Sequence, residues 1–371
     1  MIDYKKLAAK GVQKLNPYIP GKPISELERE MGISNIIKLA SNENPLGASP
    51  LAIKAMSDTL KEIELYPDGN GFDLKKVLAA KHNVNMDQIT LGNGSNDVLV
   101  LLTEAFLSNK HNAIYSQYCF AVYPIAIQAI GATHKQIPAK DWNTDSPLGH
   151  DLDAMLAAID DDTRMVFVAN PNNPTGNHLS ETELKRFISK VPEHVIVIVD
   201  EAYLEYSSID EQVDASAWLS QFPNLVVTRT FSKAYGLAGL RVGYALSNPD
   251  IANVINRIRQ PFNVNSLALI AAEHAVSDIE FLERSLLENS LGMTILEDTC
   301  NNLGLRYVPS KGNFILIDFE KEASPIYMDL LQGGIITRPV ANYGLENCLR
   351  ITIGTQEQMH RLNIMMEKVC G

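Results

Sequence analysis

A lysine becomes a nucleophile toward an aldehyde only when it can give up its proton, and partial burial beside other cations makes that possible near neutral pH. The stretch Thr230-Phe231-Ser232-Lys233-Ala234-Tyr235-Gly236-Leu237-Ala238-Gly239-Leu240-Arg241 sets one lysine among small, hydroxyl-bearing and apolar residues, with an arginine eight positions later. Lys233 is therefore the candidate nucleophile. Thr230, Ser232 and Arg241 offer hydroxyl and guanidinium donors to a phosphate. A single lysine is more often a solvated surface group, and it is the neighbours that shift the weight.

The apolar run over 195–199 leads straight into Asp200-Glu201-Ala202-Tyr203. A carboxylate at the end of a buried strand is costly without a cationic partner. A protonated pyridine nitrogen is such a partner, because the carboxylate keeps the ring cationic and the ring can then accept electrons released at a substrate carbon. Tyr203 would reach a hydroxyl on the same ring. Alone, Asp200 reads equally well as a helix N-cap. A second loop, Asn170-Pro171-Asn172-Asn173-Pro174-Thr175-Gly176, combines fixed backbone with amide donors that suit a polar ring substituent. A third, Gly92-Asn93-Gly94-Ser95-Asn96-Asp97, opens a helical stretch. Its glycines permit close backbone approach, and the free N–H groups of a helix start face an anion.

The elements that must position these loops follow one grammar, a short apolar run, a turn and a helical pattern, which predicts an α/β fold with a largely parallel sheet. Strands are predicted over 89–91, 113–115, 165–169, 195–199 and 225–228, with the unusual residues just past their carboxyl ends, where such sheets bind ligands. Beyond about Pro261 the pattern turns to long helices over 267–276 and 281–296, then strands over 313–317 and 349–353. This predicts an arm over 1–45, a large domain over 46–262 and a smaller α+β domain over 263–371.

Composition narrows the classes of function. With 371 residues, 46% hydrophobic and 20% charged, the chain can bury more than one core. The absence of a long apolar stretch and of a signal-peptide core predicts a cytoplasmic protein that does not engage a membrane. Cys119, Cys300, Cys348 and Cys370 form no C-x-x-C pair, so neither a zinc site nor a disulfide framework is expected. A net charge of −12 argues against nucleic acid as a partner.

Taken together, the loops resemble, in order and over nearly the whole chain, those of the fold-type I pyridoxal-phosphate aminotransferases. The resemblance implies a mostly parallel seven-stranded sheet between helices, pyridoxal 5'-phosphate as cofactor, Lys233 as the Schiff-base lysine and proton shuttle, and Asp200 as partner of the pyridine nitrogen. It further implies Tyr203 and Asn173 as ligands of the ring hydroxyl, and Gly94, Ser95, Asn96, Thr230, Ser232 and Arg241 around the phosphate. Phe120 falls where the family stacks an aromatic ring, although Tyr118-Cys119 departs from the usual preceding residues. The segments 39–47, 66–69, 338–340 and 349–354 are similar to a branch acting on a phosphorylated amino alcohol with 2-oxoglutarate. That likeness implies Arg350 and Arg338 as anion receptors, Tyr18, Asn42 and Asn44 in the substrate pocket, and a homodimer in which Tyr66 reaches the neighbouring subunit's phosphate. Aromatic amino-acid aminotransferases and phosphothreonine decarboxylases share much of this motif set.

Overall fold

The structure is a computed structural model and describes residues 2–17 and 20–371. A two-residue strand, β1 (Ile37–Lys38), precedes seven strands that form one sheet: β2 (Ile89–Gly92), β3 (Asn112–Ser116), β4 (Thr133–Ile137), β5 (Thr163–Ala169), β6 (Ile196–Asp200), β7 (Leu225–Thr230) and β8 (Gly243–Ser247). Then come β9 (Arg306–Val308), β10 (Phe314–Asp318), β11 (Ile335–Ile336), β12 (Arg338–Pro339) and β13 (Cys348–Thr352). The large sheet runs β2-β8-β7-β6-β5-β3-β4. β8 alone runs opposite to the other six strands. The carboxyl ends of β2, β5, β6 and β7 therefore share one edge, and all the chemically unusual loops leave from it.

The predicted strands are present, each longer by a few residues or shifted by one. Their continuous hydrophobicity reflects burial on both faces: Val197, Val199, Val226 and Val227 are fully buried, with helices packed on either side. Two strands of the large sheet, and the short β9, β11 and β12, lie outside the predicted ones. β4 lies at the edge and keeps Thr133 and His134 exposed, so it carries no apolar run. β8 begins two residues after the left-handed Arg241, where the sequence reads as loop. The arm also contributes β1, parallel to β11.

The predicted helices extend over Ser266–Ser277 and Ile279–Asn302, and the second sheet is antiparallel in the order β12-β13-β10-β9. A separate apolar cluster fills the space beneath it, including Leu296, Ile315, Ile317, Ile351 and Leu362. Among the described residues no helix is long and apolar enough to cross a membrane.

Alternation along the strands puts Asp200 on one face of the sheet and Glu201 on the other. On that rear face Glu201, 0% exposed, meets Arg229, 3% exposed, at 2.7 Å, and Arg229 also reaches Asp214 at 2.5 Å. The pair ties the ends of β6 and β7 together behind the site. Arg229→Leu leaves Glu201 buried without its cation and should cost roughly 3–5 kcal/mol, read as a lower urea midpoint and melting temperature. An unmoved midpoint would show that the pair contributes nothing.

Candidate active site

Asp200 closes β6 and pairs in register with Thr228 of β7. Its carboxylate is buried, which pushes its pKa up, while the Tyr123 hydroxyl, the Thr228 hydroxyl, the Ala202 N–H and the Lys233 charge pull it back. Tyr123 donates to Oδ2 at 2.7 Å and Thr228 donates to Oδ1 at 3.1 Å.

The loop after β7 is held by its own backbone: Phe231 N donates to Val242 O at 3.1 Å, and Ser232 N donates to Thr230 Oγ1 at 3.1 Å. Lys233 lines the cavity wall, and its Nζ donates to Ser41 O at 3.1 Å. Withdrawal from bulk water, then the charges of Arg350 and Arg241, lower its pKa to about 7 against the opposing pull of Glu43 and Asp200. The amine is thus partly neutral at physiological pH, the state a nucleophile or a base needs.

Arg241 takes a left-handed backbone, φ 55°, and its Nη1 donates to Ser232 Oγ and to Ala238 O, both at 3.1 Å. Its guanidinium lies against Gly94, where a Cβ would come within 2.4 Å of Nη2. A side chain there would push that guanidinium aside, and the φ of +85° itself favours glycine. Immediately after it, the helix Ser95–Phe106 presents an uncapped N-terminus.

These groups surround a cavity of about 190 Å³, lined by Ser95, Asn96, Phe120, Asn173, Asp200, Tyr203, Thr230, Ser232, Lys233 and Arg241, with Ala169, Pro171 and Ala202 completing it. The Tyr203 hydroxyl accepts from Asn42 Nδ2 at 2.9 Å, and its ring meets Phe314 edge-on at 5.1 Å. Asn173 Oδ1 accepts from Arg350 Nη1 at 2.6 Å, which leaves the amide NH₂ for the cavity. Arg350 Nη2 donates to Ala40 O at 2.7 Å, so this β13 side chain joins the small sheet, the arm and the β5 loop. Arg338 sits directly opposite Arg350 on β12. It opens instead onto a second cavity, of about 920 Å³, with Pro20, Lys22 and Thr337.

The other expected residues lie elsewhere. Asn44 does not face the cavity: its Nδ2 donates to Ala234 O at 2.8 Å and Ser285 Oγ at 2.9 Å, and its Oδ1 accepts from Leu46 N at 2.9 Å, so its amide is spent as a structural joint. Asn42 is one residue removed from the wall, reaching it through Tyr203. Tyr66 is 82% exposed and stacks on Phe262 with centroids 4.7 Å apart, away from its own chain's cavity. Tyr18 lies outside the described residues. Two residues that contact Asp200 had escaped the sequence reading, Tyr123 and Thr228. Tyr123 stands three places after Phe120 on the helix Val122–Ala129, and Thr228 is visible as a neighbour only once the strand register is known.

A donor set of this kind suits a flat ring cation bearing an aldehyde and a phosphate: one buried carboxylate, one amine of lowered pKa, and a helix start beside Thr230, Ser232 and Arg241. The gap that Gly94 leaves for Arg241 fits the same group. The profile of aminotransferase class I and II matches residues 34–363, and the chain belongs to that family. It is 55% identical over 369 residues to histidinol-phosphate aminotransferase 2 of Pseudomonas fluorescens, covering 99% of this chain and 98% of the relative. With histidinol-phosphate aminotransferase 1 of Mannheimia succiniciproducens it shares 54% over 352 residues, 95% of this chain and 94% of that one. The crystal structure of the Sinorhizobium meliloti histidinol-phosphate aminotransferase, in complex with pyridoxal-5'-phosphate, superposes with a TM-score of 0.87 at 27% identity, covering 97% of this chain and 96% of that chain.

With a pKa near 7, the Lys233 amine should react with pyridoxal 5'-phosphate at a rate that climbs with pH and levels off just above neutrality. Stopped-flow absorbance after mixing the stripped protein with the aldehyde gives the profile. A rate still rising through pH 9, or attachment undiminished in Lys233→Ala, would remove the assignment.

Proposed function

We propose that the chain transfers the amino group of L-histidinol phosphate to 2-oxoglutarate, giving imidazole acetol phosphate and L-glutamate, with pyridoxal 5'-phosphate as cofactor. When bound, the cofactor supplies an aldehyde that carries the amino group and a protonated ring that takes up the electron pair left at the substrate Cα. Asp200 holds the proton on the ring nitrogen. Lys233 takes the Cα proton and returns it, which its lowered pKa permits. Asn173 and Tyr203 would donate toward the ring hydroxyl, and Phe120 would pack against the ring. Ser95, Asn96, Thr230, Ser232 and Arg241 hold the phosphate, with Gly94 giving Arg241 its room. The same reading divides the chain into an arm over 1–45, a cofactor-binding domain over 46–262 and a small domain over 263–371. The ladder of β1 on β11 supports packing of the arm on the small domain.

The observation that carries the substrate is the pair Arg338 and Arg350, opposite one another on β12 and β13. Two arginines at facing positions concentrate guanidinium donors there, and a doubly charged phosphate is the anion that such donors suit best. Histidinol phosphate has no carboxylate, so its phosphate is the anion to be recognised. Arg350 then receives the carboxylate of 2-oxoglutarate in the second half-reaction, since a guanidinium fork accepts either anion.

A homodimer accounts for Tyr66. Leu60, Ile63, Leu65, Tyr66 and Phe72 are each more than half exposed within one short stretch, the pattern of a surface meant for a partner. Tyr66 would complete the neighbouring subunit's phosphate site. Cys119, Cys300 and Cys348 are buried free thiols, which suits the reducing cytoplasm.

Assayed donor by donor, the protein should favour histidinol phosphate in kcat/KM over phenylalanine, tyrosine and phosphothreonine. An order-of-magnitude preference for the aromatic amino acids would move the assignment to an aromatic aminotransferase. Arg350→Ala should lower efficiency toward both partners by about 30- to 1000-fold, and Arg338→Ala should hurt the phosphate donor more than 2-oxoglutarate. Mixed Tyr66→Phe and Lys233→Ala chains should regain activity in hybrid dimers with one intact site, whereas a fully active monomer in sedimentation would refute the shared site.

A further inference from the structure

Asp200 is reached by a group that belongs to none of the cofactor loops. Tyr123 lies on the helix Val122–Ala129, is buried, and gives its hydroxyl to Asp200 Oδ2 at 2.7 Å. Its ring stacks on Phe167 with centroids 4.7 Å apart and meets Phe120 edge-on at 5.9 Å, so packing fixes where the hydroxyl points. On the other carboxylate oxygen Thr228 donates at 3.1 Å. Tyr123 is absent from the cavity wall that Phe120 and Asp200 share.

We infer that Tyr123 is a positioning residue that keeps Asp200 ionised and aimed at the ring nitrogen, so that a hydroxyl outside the cavity helps set how firmly the cofactor is held. The inference rests on the role given above to Asp200. Neutral donors are the suitable means. A guanidinium in the same place would keep the carboxylate charged but would also cancel its attraction for a ring cation. Hydroxyls lower its proton affinity and leave the negative charge for the ligand. Burial works against that charge, and the Tyr123 bond is the strongest of the influences opposing it. The other charged or titratable groups facing the carboxylate are Lys233 and Tyr203, with Cys119 beside Tyr123. Losing the phenol hydroxyl raises the proton affinity of Asp200. A ring cation must then displace a proton to bind, so retention weakens, and weakens further as pH falls.

Tyr123→Phe keeps the ring and its stacking on Phe167. The measurement is release of pyridoxal 5'-phosphate from the holoenzyme at pH 6 and pH 8, beside release of the analogue whose ring nitrogen is replaced by C–H. Wild-type protein should hold the natural cofactor more tightly than the analogue. In Tyr123→Phe the cofactor should be lost about 10- to 100-fold more readily, with the larger effect at pH 6, while the analogue stays within about twofold of wild type. Thr228→Val, which removes the other hydroxyl donor, should move both readings in the same direction and serves if the first variant does not fold. Equal weakening of both ligands would make Tyr123 merely part of the packing, and no weakening would make its hydroxyl idle; either result overturns the inference. If wild-type protein does not distinguish the two ligands, the role of Asp200 falls, and this inference with it.

Discussion

A carboxylate at the end of a strand buried on both faces is the constraint around which this molecule is arranged. Water would solvate Asp200 far better than the protein interior does, and the free energy lost on burial has to be offset by specific partners. Hydroxyl donors meet each oxygen, from Tyr123 and Thr228. On the opposite face Arg229 and Glu201 hold the same two strand ends. The sheet order brings β6 and β7 side by side, which makes both arrangements possible. What remains on the open side is a carboxyl group that faces a cavity together with an amine of lowered proton affinity. A ligand in that cavity can engage each of them.

Much of this was legible in the sequence because the central strands are buried on both faces. Such strands announce themselves as unbroken apolar runs, and the residue after the run is then placed at the sheet edge by chain direction alone. Asp200, the loop through Asn173, and Thr230 through Lys233 could be brought to one edge in this way. β4 was hidden because an edge strand with solvent on one side carries polar residues, and Thr133 and His134 look like loop. Tyr123 and Thr228 were hidden for a different reason. Their contacts depend on which strand lies beside which, and strand order is written in no local pattern. Asn44 shows the converse: its type and motif suggested ligand binding, yet three hydrogen bonds assign its amide to joining the arm with Ala234 and Ser285.

The stretch from Ile37 to Asn44 has a consequence for how the molecule is assembled. It forms a ladder with β11, passes Ala40 O to Arg350 and Ser41 O to Lys233, ties Asn42 to Thr352 and Tyr203, and anchors Asn44 beside Ser285. The partners of Asn42 lie 161, 271 and 310 positions away along the chain. Contacts of such separation close large loops and are gained only after the local units exist. The segment therefore takes its seat from both sheets, with partners after β6 and β7 of the large one and on β13 of the small one. Without it the carbonyl beside Lys233 and the amide beside Tyr203 are missing, and the strands stand without a finished site. Completion of the site thus reports completion of the fold.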